Sequence, residues 1–319
     1  MMSSMKMYNL IFVFLSLFSS LLAKEVISAQ DEYNAASVAF QKKKWTAVKE
    51  HSKKVIDFAS DSPFIGDLYF YMGAAHFHQK DFDKANYYFS KFLKDHNSPK
   101  YFEEALIYKF EIAEQFQKGA KKHLFGAEKM PKLTSAWEDA YFLYDEVITT
   151  LPRHEVAAKA LFNKATMMRV EEKFAESIEI FQTLIRRFPK NPLAPKSYIA
   201  IAEAYCAESK NVFPDRDFLD QARLNVKKFK RDFPSDERVV QVDKMLSSMQ
   251  DNYAEDLWDS ANYFARKKKM QSCILYYTSI VRKFPESKFA PKALKKISEL
   301  KVQYPKEVQN VTFEDKTTA

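Results

Sequence analysis

One spacing that recurs four times constrains the fold of this chain more than any other feature. In each copy, a bulky residue is followed three positions later by a small residue and 15 positions later by a proline. The bulky residues and their prolines are Trp137 and Pro152, Phe174 and Pro189, Leu219 and Pro234, and Met270 and Pro285. Self-similarity at a fixed spacing is the signature of repeat proteins, so we interpret the chain as an array of similar units.

The copy that begins at Phe174 shows what each unit contains. Ile178, Phe181 and Leu184 follow at helical spacing, and the run stops at Pro189. Proline lacks an N–H and clashes with the preceding turn, so it ends one helix and is tolerated in the first turn of the next. Each unit is therefore predicted to be a helical hairpin, and hairpins of this kind must stack to bury their apolar faces.

Small residues mark where the two helices of a hairpin must approach closely. On the second helices these are Ala140, Ser177, Ala222 and Cys273, and on the first helices they are Ala36, Gly73, Ala165 and Ala261. Because Cys273 occupies a position where the other copies have Ala or Ser, we interpret it as a packing residue rather than a reactive thiol.

Composition supports an all-helical chain. The 319 residues are 46% hydrophobic and include only 4 glycines. The alternation of small and aromatic residues with a closing proline resembles tetratricopeptide repeats. We therefore predict an all-α fold, a tetratricopeptide-like helical-hairpin solenoid of about six helix pairs.

Breaks in the pattern divide the chain. In the N-terminal part the stops are displaced to Pro63 and Pro99, and Gly119, Gly126 and Pro131 interrupt the pattern altogether. A second predicted loop, residues 208–217, contains Asn211 and Pro214, and the first helix of the last repeat is predicted to be doubled or extended. The predicted parts are a signal peptide or uncleaved anchor (1–23), N-terminal repeats (24–118), a loop (119–135), C-terminal repeats with a capping helix (136–301) and a disordered tail (302–319).

The beginning of the chain predicts export. An apolar run over residues 10–22 is short for a membrane span and has the length of a signal-peptide core. Ala23 offers a cleavage point, and the alternative is an uncleaved N-terminal anchor. No cysteine follows the run closely, since the two cysteines are Cys206 and Cys273, so we expect no lipid attachment there.

Charge and motif content argue against nucleic-acid binding and catalysis. The net charge of +8 comes from Lys and Arg scattered among Asp and Glu, as on solvated helices, and no nucleic-acid motif is present. His76 and His78 are two positions apart on a predicted helix, so they cannot share a metal ion. We find no phosphate loop, nucleophile elbow or metal-spaced Cys/His cluster, and predict no enzyme activity, no cofactor and no catalytic or metal residues.

The C-terminal half resembles one family more closely. The residues that carry the resemblance are Asp215-Arg216-Asp217, Phe233-Pro234, Tyr263, Tyr276-Tyr277 and Phe284-Pro285. They are similar to those of the BamD (YfiO/ComL-like) outer-membrane assembly factors. The resemblance implies a periplasmic, outer-membrane-associated repeat scaffold that binds a BamA-like barrel protein and unfolded outer-membrane protein peptides. Membrane association would then come through partners or through an uncleaved N-terminus.

Two sets of residues are candidates for binding. First-helix aromatic and histidine side chains suit an extended, partly apolar peptide, although at least half of them have the alternative of lying in the core between repeats. These peptide-binding candidates are Tyr33, Tyr69, Tyr71, His76, Tyr101 and Tyr108. The partner-binding candidates are Asp215, Arg216 and Asp217, where Asp217 has the alternative role of capping the next helix.

Two other functional classes share this scaffold. One is a periplasmic Tol-Pal or cell-division adaptor resembling YbgF/CpoB, whose repeats share the Tyr-Pro or Phe-Pro ending, but this chain shows no sustained heptad pattern of the kind those proteins carry. The other is a secreted repeat chaperone.

Overall fold

The structure is a computed structural model that describes residues 29–95, 100–124, 130–209 and 216–305. The predicted signal peptide lies outside these ranges, as do residues 306–319 of the predicted tail and Asp215. Within the described ranges, helices form nearly all of the regular structure.

The helices follow one another with short connections. They are α1 (29–41), α2 (Trp45–Phe58), α3 (Ile65–His78), α4 (Phe82–Asp95), α5 (Phe102–Gln117), α6 (Trp137–Thr150), α7 (Glu155–Val170), α8 (Phe174–Arg187), α9 (Leu193–Glu208), α10 (Arg216–Asp232), α11 (Val239–Arg266), α12 (Met270–Lys283) and α13 (Ala290–Gln303). Neighbours in sequence pack together, as α3 does with α4 and α11 with α12, and first helices of successive pairs also touch, as α9 does with α11. The predicted all-α, tetratricopeptide-like class is therefore confirmed, and the described residues hold six helix pairs followed by α13.

The repeated prolines lie between helices, as the spacing predicts. Helices α6, α8, α10 and α12 each end two residues before the proline of their copy. In α8 the cap residue Phe188 leaves helical geometry with φ −129° and ψ 57°, and Pro189 follows it. The proline of the repeated spacing therefore marks the end of the second helix in these four pairs.

The turn inside a helix pair has a different basis in the five pairs whose turn is described. The second residue after the first helix adopts positive φ, at Lys43 (55°), Lys80 (60°), Gly119 (95°), Glu172 (59°) and Lys268 (56°). At Lys80, the N–H of Asp81 donates to the His76 carbonyl and the N–H of Lys80 donates to the Phe77 carbonyl, both at 2.9 Å. This pair of bonds satisfies the last carbonyls of the helix and reverses the chain direction.

The chain divides into two compact units, residues 1–164 and 165–319. In unit 1 the core is rich in aromatic rings, and Gly73 lies so close to Phe89 that a Cβ on the glycine would be 2.7 Å from the ring. In unit 2 the small side chains of the frame are buried, and Ser177 Oγ donates to the Ala165 carbonyl at 2.8 Å. Close approach within a hairpin therefore depends on small residues in both units.

Three segments differ from or refine the sequence interpretation. Residues 119–135, predicted as a loop, contain two short antiparallel strands, β1 (Lys121–His123) and β2 (Lys132–Ser135), with a register shift between Lys122 and His123. Residues 208–217 are not all loop, because α9 continues to Glu208 and α10 begins at Arg216. The first helix of the last repeat is one continuous helix of 28 residues, α11.

Candidate binding surfaces

Three of the candidate tyrosines come together across α1, α3 and the start of α5. Tyr33 Oη donates to Asp67 Oδ2 at 3.0 Å, and the hydroxyls of Tyr71 and Tyr101 are 3.3 Å apart. Lys100 Nζ lies 3.9 Å from Asp67 Oδ2 and 4.5 Å from the centre of the Tyr101 ring. We call these five residues the tyrosine network.

Phenylalanine rings stack on the three tyrosines of the network. Phe64 stacks on Tyr33 at 4.4 Å, Phe40 on Tyr71 at 4.4 Å, and Phe70 on Tyr101 at 4.2 Å between ring centres. Burial, together with the hydrogen bonds to Asp67 and between the tyrosines, raises the pKa of Tyr33 and of Tyr101 far above the usual value. The hydroxyls of Tyr33 and Tyr101 thus stay protonated at ordinary pH and give the network hydrogen-bonding aromatic groups.

The remaining candidates have different surroundings. Half-buried Tyr108 stacks on Phe89 at 5.0 Å and places its hydroxyl 3.4 Å from His78 Nε2, and burial raises the pKa of Tyr108 to about 12. Tyr69 is half-buried beside Tyr88, with ring centres 6.3 Å apart. Rings that are half-buried and fixed by neighbours can contact a ligand without large loss of side-chain entropy.

Two candidates are placed differently from the sequence interpretation. Tyr71 and His76 are only 2% and 4% exposed, so their side chains are packing residues and cannot cover a ligand directly. Helix α3 is buried round most of its circumference, so Tyr71 packs on Phe40 of α1 and His76 stacks on Tyr88 of α4, with ring centres 5.3 Å apart. The alternative of a core role, left open from the sequence, therefore describes these two residues.

His76 belongs to a charged cluster at the turn between α3 and α4. His76 Nδ1 is 3.1 Å from Asp81 Oδ2, and Lys132 Nζ of β2 is 2.9 Å from Asp81 Oδ1. Asp83 Oδ2 accepts from the backbone N–H of His123 at 3.1 Å and lies 2.6 Å from His123 Nδ1. These contacts fasten the β1–β2 hairpin to the α3–α4 turn.

The acidic residues of this turn are partly buried. Burial opposes ionisation of Asp81, but hydrogen bonds from His76 and Lys132 outweigh burial and hold the pKa of Asp81 well below its usual range. Ligand atoms of Asp81, Asp83 and His123 lie within 4.8 Å of one another, a spacing that a metal ion can use. Lys132 already places a positive charge beside Asp81. We therefore interpret the cluster as a contact that holds the β1–β2 hairpin against the α3–α4 turn. Sequence reasoning missed it because His123 and Asp83 are 40 positions apart.

The C-terminal candidates lie at the start of α10. Asp215 is outside the described residues, Arg216 is the first residue of the helix, and Asp217 is exposed in its first turn. A carboxylate in the first turn is favoured by the helix dipole. A concave surface with a volume of about 250 Å³ borders Asp217, with Tyr205 and Phe218 in its wall. The Asp-Arg-Asp role in partner binding stays a prediction.

The surroundings of Cys273 agree with its predicted packing role. Cys273 is fully buried, and its burial raises the pKa of the thiol above the usual value, which disfavours the reactive thiolate.

Along the described ranges, none of the helices combines the length and the apolar character needed to cross a membrane.

Comparison with protein families gives two matches. Residues 154–312 match the YfiO family, described as outer membrane lipoproteins, and this range contains α7 to α13. Residues 67–96 match a tetratricopeptide repeat and fall on α3 and α4. No curated protein matches the chain significantly.

Solved structures of low identity are also similar. A tetratricopeptide repeat protein from Parabacteroides merdae is 12% identical over 86% of this chain and 99% of its own, with a TM-score of 0.40. Pseudomonas aeruginosa PilF is 12% identical over 88% of this chain and 99% of its own, with a TM-score of 0.33. The TPR2AB domain of yeast Sti1, solved in a complex described as containing pHSP90, is 16% identical over 69% and 85%, with a TM-score of 0.30. The assignment of a family therefore depends on the sequence matches.

Proposed function

Because the chain is a YfiO-like tetratricopeptide-repeat protein, as its sequence resemblance predicts, we propose that it is a non-enzymatic periplasmic scaffold for outer-membrane protein assembly. Its tasks are to bind unfolded barrel-protein peptides and a BamA-like partner. The family of outer membrane lipoproteins implies association with the cell envelope. Within the proposal, the chain is exported by its N-terminal apolar run and reaches the outer membrane through partners or through an uncleaved N-terminus.

The observation that carries the peptide-binding part is the tyrosine network. Tyr33 and Tyr101 lie on or beside the first helices of two pairs, half-buried and held in place by stacking and hydrogen bonds. Such rings present an apolar face with a polar edge. Barrel strands alternate apolar and polar side chains, so an extended strand can place apolar groups on the rings while its backbone bonds to the polar edges.

Charge near the network favours a peptide with mixed chemistry. Asp67 and Lys100 lie beside the tyrosine hydroxyls and offer one acceptor and one cation to the backbone or the end of a bound segment. Because the hydroxyl groups stay protonated, they donate or accept without bringing charge. Tyr108 continues the aromatic surface, since its ring centre lies 6.1 Å from that of Phe70, which stacks on Tyr101. Tyr69 offers a separate half-buried ring beside Tyr88 of α4.

The partner-binding part is assigned to the C-terminal repeats. Arg216 opens α10 within the range that matches the YfiO family. An arginine guanidinium can bind a carboxylate through two parallel hydrogen bonds, a geometry suited to an acidic residue of a BamA-like partner. Asp217 in the same turn stabilises the start of the helix whether or not a partner is bound.

Affinity purification from the native envelope tests this proposal. The tagged wild-type chain should retain a BamA-like barrel protein, and Arg216→Glu should weaken that retention while leaving the helix content unchanged. Arg187→Glu is the matched control. Arg187 is exposed on α8, so the substitution makes the same change of charge outside the proposed contact.

Two outcomes would count against the proposal. Failure of the wild-type chain to retain any barrel protein would contradict the assembly function. Full retention by a folded Arg216→Glu variant would show that Arg216 is structural and would move the contact elsewhere, with residues 117–135 as the next candidate.

A further inference from the structure

A second surface lies in unit 2, among α8, α9 and α10. A cavity of about 630 Å³ opens between these helices. Ligand sites in proteins have volumes of roughly 300 to 1,000 Å³, so this cavity is large enough for a short segment of a ligand. It lies within residues 165–319, whereas the tyrosine network lies within residues 1–164, so the two sites can be tested separately.

Apolar and aromatic side chains form part of the cavity wall. Ile201 is fully buried, Tyr198 is 3% exposed, and Leu224 is 43% exposed. Tyr198 is held by stacking on Phe229 at 5.1 Å between ring centres. An exposed leucine beside a fixed aromatic ring provides a place where an apolar group of a ligand would be removed from water.

Positive charge surrounds this apolar wall. Asp232 is the acidic residue that lines the cavity, and both of its oxygens are already bonded, one to the Tyr198 hydroxyl at 2.6 Å and the other to Arg231 Nε at 2.7 Å. Arg186, Lys190 and Lys228 line the cavity as well. Within the described part of the chain, none of these three has an ion-pair partner, and Arg186 donates to the Thr183 hydroxyl at 3.1 Å.

The charges that remain uncompensated select an anionic ligand. Pairing of Arg231 with Asp232 cancels one charge of each sign, which leaves the three cations Arg186, Lys190 and Lys228 around the cavity. Carboxylates and phosphates both bind lysine and arginine strongly. The cavity therefore combines an apolar wall with a surplus of positive charge.

The polar groups in the wall distinguish between these anions. Gln182, Gln221 and Asn225 line the cavity, and Asn225 Nδ2 already donates to the Tyr198 carbonyl at 3.0 Å. The Asn225 oxygen remains as an acceptor, and the two glutamine amides offer both donors and acceptors. A peptide backbone supplies N–H and C=O groups to match them, whereas a fully ionised phosphate group supplies acceptors.

We propose that this cavity binds an acidic peptide segment that also carries an apolar or aromatic side chain, contributed by a partner protein. The carboxylates of the segment pair with Lys190, Lys228 and Arg186, and its apolar side chain packs on the exposed Leu224. The proposal goes beyond the assembly function, because it defines a second recognition site with a chemistry different from that of the tyrosine network.

Fluorescence anisotropy with the full chain tests the proposal. The probe is a labelled decapeptide of Asp, Glu, Ser and Gly residues around one Phe, and a peptide with Lys in place of every acidic residue is its counterpart. We expect saturable binding of the acidic peptide and none of the basic one. The double variant Lys190→Glu/Lys228→Glu should weaken binding by at least about tenfold, equivalent to about 1.4 kcal/mol.

The adjacent Lys227 provides the matched control. Lys227 and Lys228 are both exposed on α10, but only Lys228 lines the cavity. Lys227→Glu should change the affinity by less than about twofold, since an exposed charge acts weakly at a distance in salt. Leu224→Ser removes the apolar contact and should also weaken binding of the acidic peptide, without changing charge. All of these positions are exposed, and circular dichroism checks that the variants stay folded.

The contradicting results are specific. Absence of saturable binding by the wild-type chain, equal binding of the basic peptide, or an equal loss with Lys227→Glu would overturn the proposal. Co-sedimentation with phosphatidylglycerol vesicles forms the other arm. If vesicles displace the peptide, and Lys190→Glu/Lys228→Glu abolishes vesicle binding, the cavity is a lipid-headgroup site and the peptide proposal is wrong.

Discussion

The two units use the same helical hairpin but leave different chemistry on it. In unit 1, the half-buried Tyr33 and Tyr101 form hydrogen bonds with Asp67 and Tyr71, and ring stacking holds them in place. In unit 2, Lys190 and Lys228 line a cavity, and neither lysine has an ion-pair partner among the described residues. The repeat therefore fixes the backbone spacing, while the residues outside the repeated positions decide whether a surface carries aromatic hydroxyl groups or positive charge.

The close contacts inside the hairpins differ in the same way. Unit 1 has Gly73 against the fully buried Phe89, and unit 2 has Ala165 and Ala261 at the corresponding positions. The aromatic ring of Phe89 also stacks on Tyr108, so it cannot move away easily. The close contact with Phe89 therefore requires glycine at position 73, whereas alanine occupies the same place in the pairs of Ala36, Ala165 and Ala261.

Overpacking these contacts should produce the largest effect on stability. Leucine at Gly73, Ala165 or Ala261 should each lower the free energy of unfolding by roughly 1–3 kcal/mol, because the added side chain has no space. Gly73→Leu should lie at the upper end, since even its Cβ would be 2.7 Å from Phe89. Urea denaturation measures these changes.

Lys159→Leu on α7 serves as the control for overpacking. Lys159 is exposed on the helix that carries Ala165, and surface changes usually alter stability by less than about 0.5 kcal/mol. If Gly73→Leu and Lys159→Leu have equal midpoints, the helices of unit 1 do not pack as closely as described.

Substitutions in the turns between paired helices should give an intermediate effect, with opposite signs at a non-glycine residue and at a glycine. Glu172 and Lys268 in unit 2 hold positive φ, and glycine there should raise the free energy of unfolding by about 1 kcal/mol, because it has no Cβ to oppose that conformation. Gly119→Ala in unit 1 should lower it by a similar amount. A Cβ at Gly119 would have nothing within 4 Å, so its effect comes from the backbone alone.

Thermal and urea denaturation of these three variants give the comparison. Destabilisation by Glu172→Gly would show that the side chain at this turn contributes more than the backbone conformation costs.

The smallest effect should be a local, pH-dependent release of the β1–β2 hairpin in unit 1. The pKa of Asp81 is lowered in the folded chain, so its contribution is present above the unfolded value of 3.8 and is lost as the pH falls through the lower folded value. Protonation of Asp81 then weakens its contacts with His76 and Lys132.

NMR chemical shifts of the β1 and β2 amides follow this release as the pH is lowered, with the α12 amides of unit 2 as an internal reference. Asp81→Asn removes the carboxylate and should show the released shifts already at neutral pH. Hairpin shifts of Asp81→Asn that equal those of the wild-type chain would contradict the proposed fastening.

The helical frame could be predicted because it depends on local spacing. Pro152, Pro189, Pro234 and Pro285 each stand two residues beyond a second helix, and Phe188 is a cap residue as its position before Pro189 indicates. The long interval from Pro234 to Pro285 predicts a doubled or an extended first helix, and the structure has the extended form, α11. Spacings of this kind can be recognised within the sequence of one helix and the connection that follows it.

The surfaces could not be predicted to the same degree, because they depend on contacts between distant positions. Tyr71 and Tyr101 are 30 positions apart, and His123 meets Asp83 across 40. Lys109 looks like a surface residue in the sequence but is buried, with Nζ 2.9 Å from Ser90 Oγ. The strands in residues 119–135 escaped prediction because each is too short, at 3 and 4 residues, to show an alternating pattern.

Hydrogen–deuterium exchange with a bound peptide tests the central claim most directly, since one measurement reports on both units. The full chain is incubated with and without an unfolded peptide from the last strand of an outer-membrane barrel protein. We predict protection of α1, α3 and α5, around Tyr33, Tyr69 and Tyr101, and its loss in Tyr33→Ala/Tyr101→Ala. Protection confined to α8, α9 and α10, or none in either unit, would contradict the assignment of peptide binding to the tyrosine network.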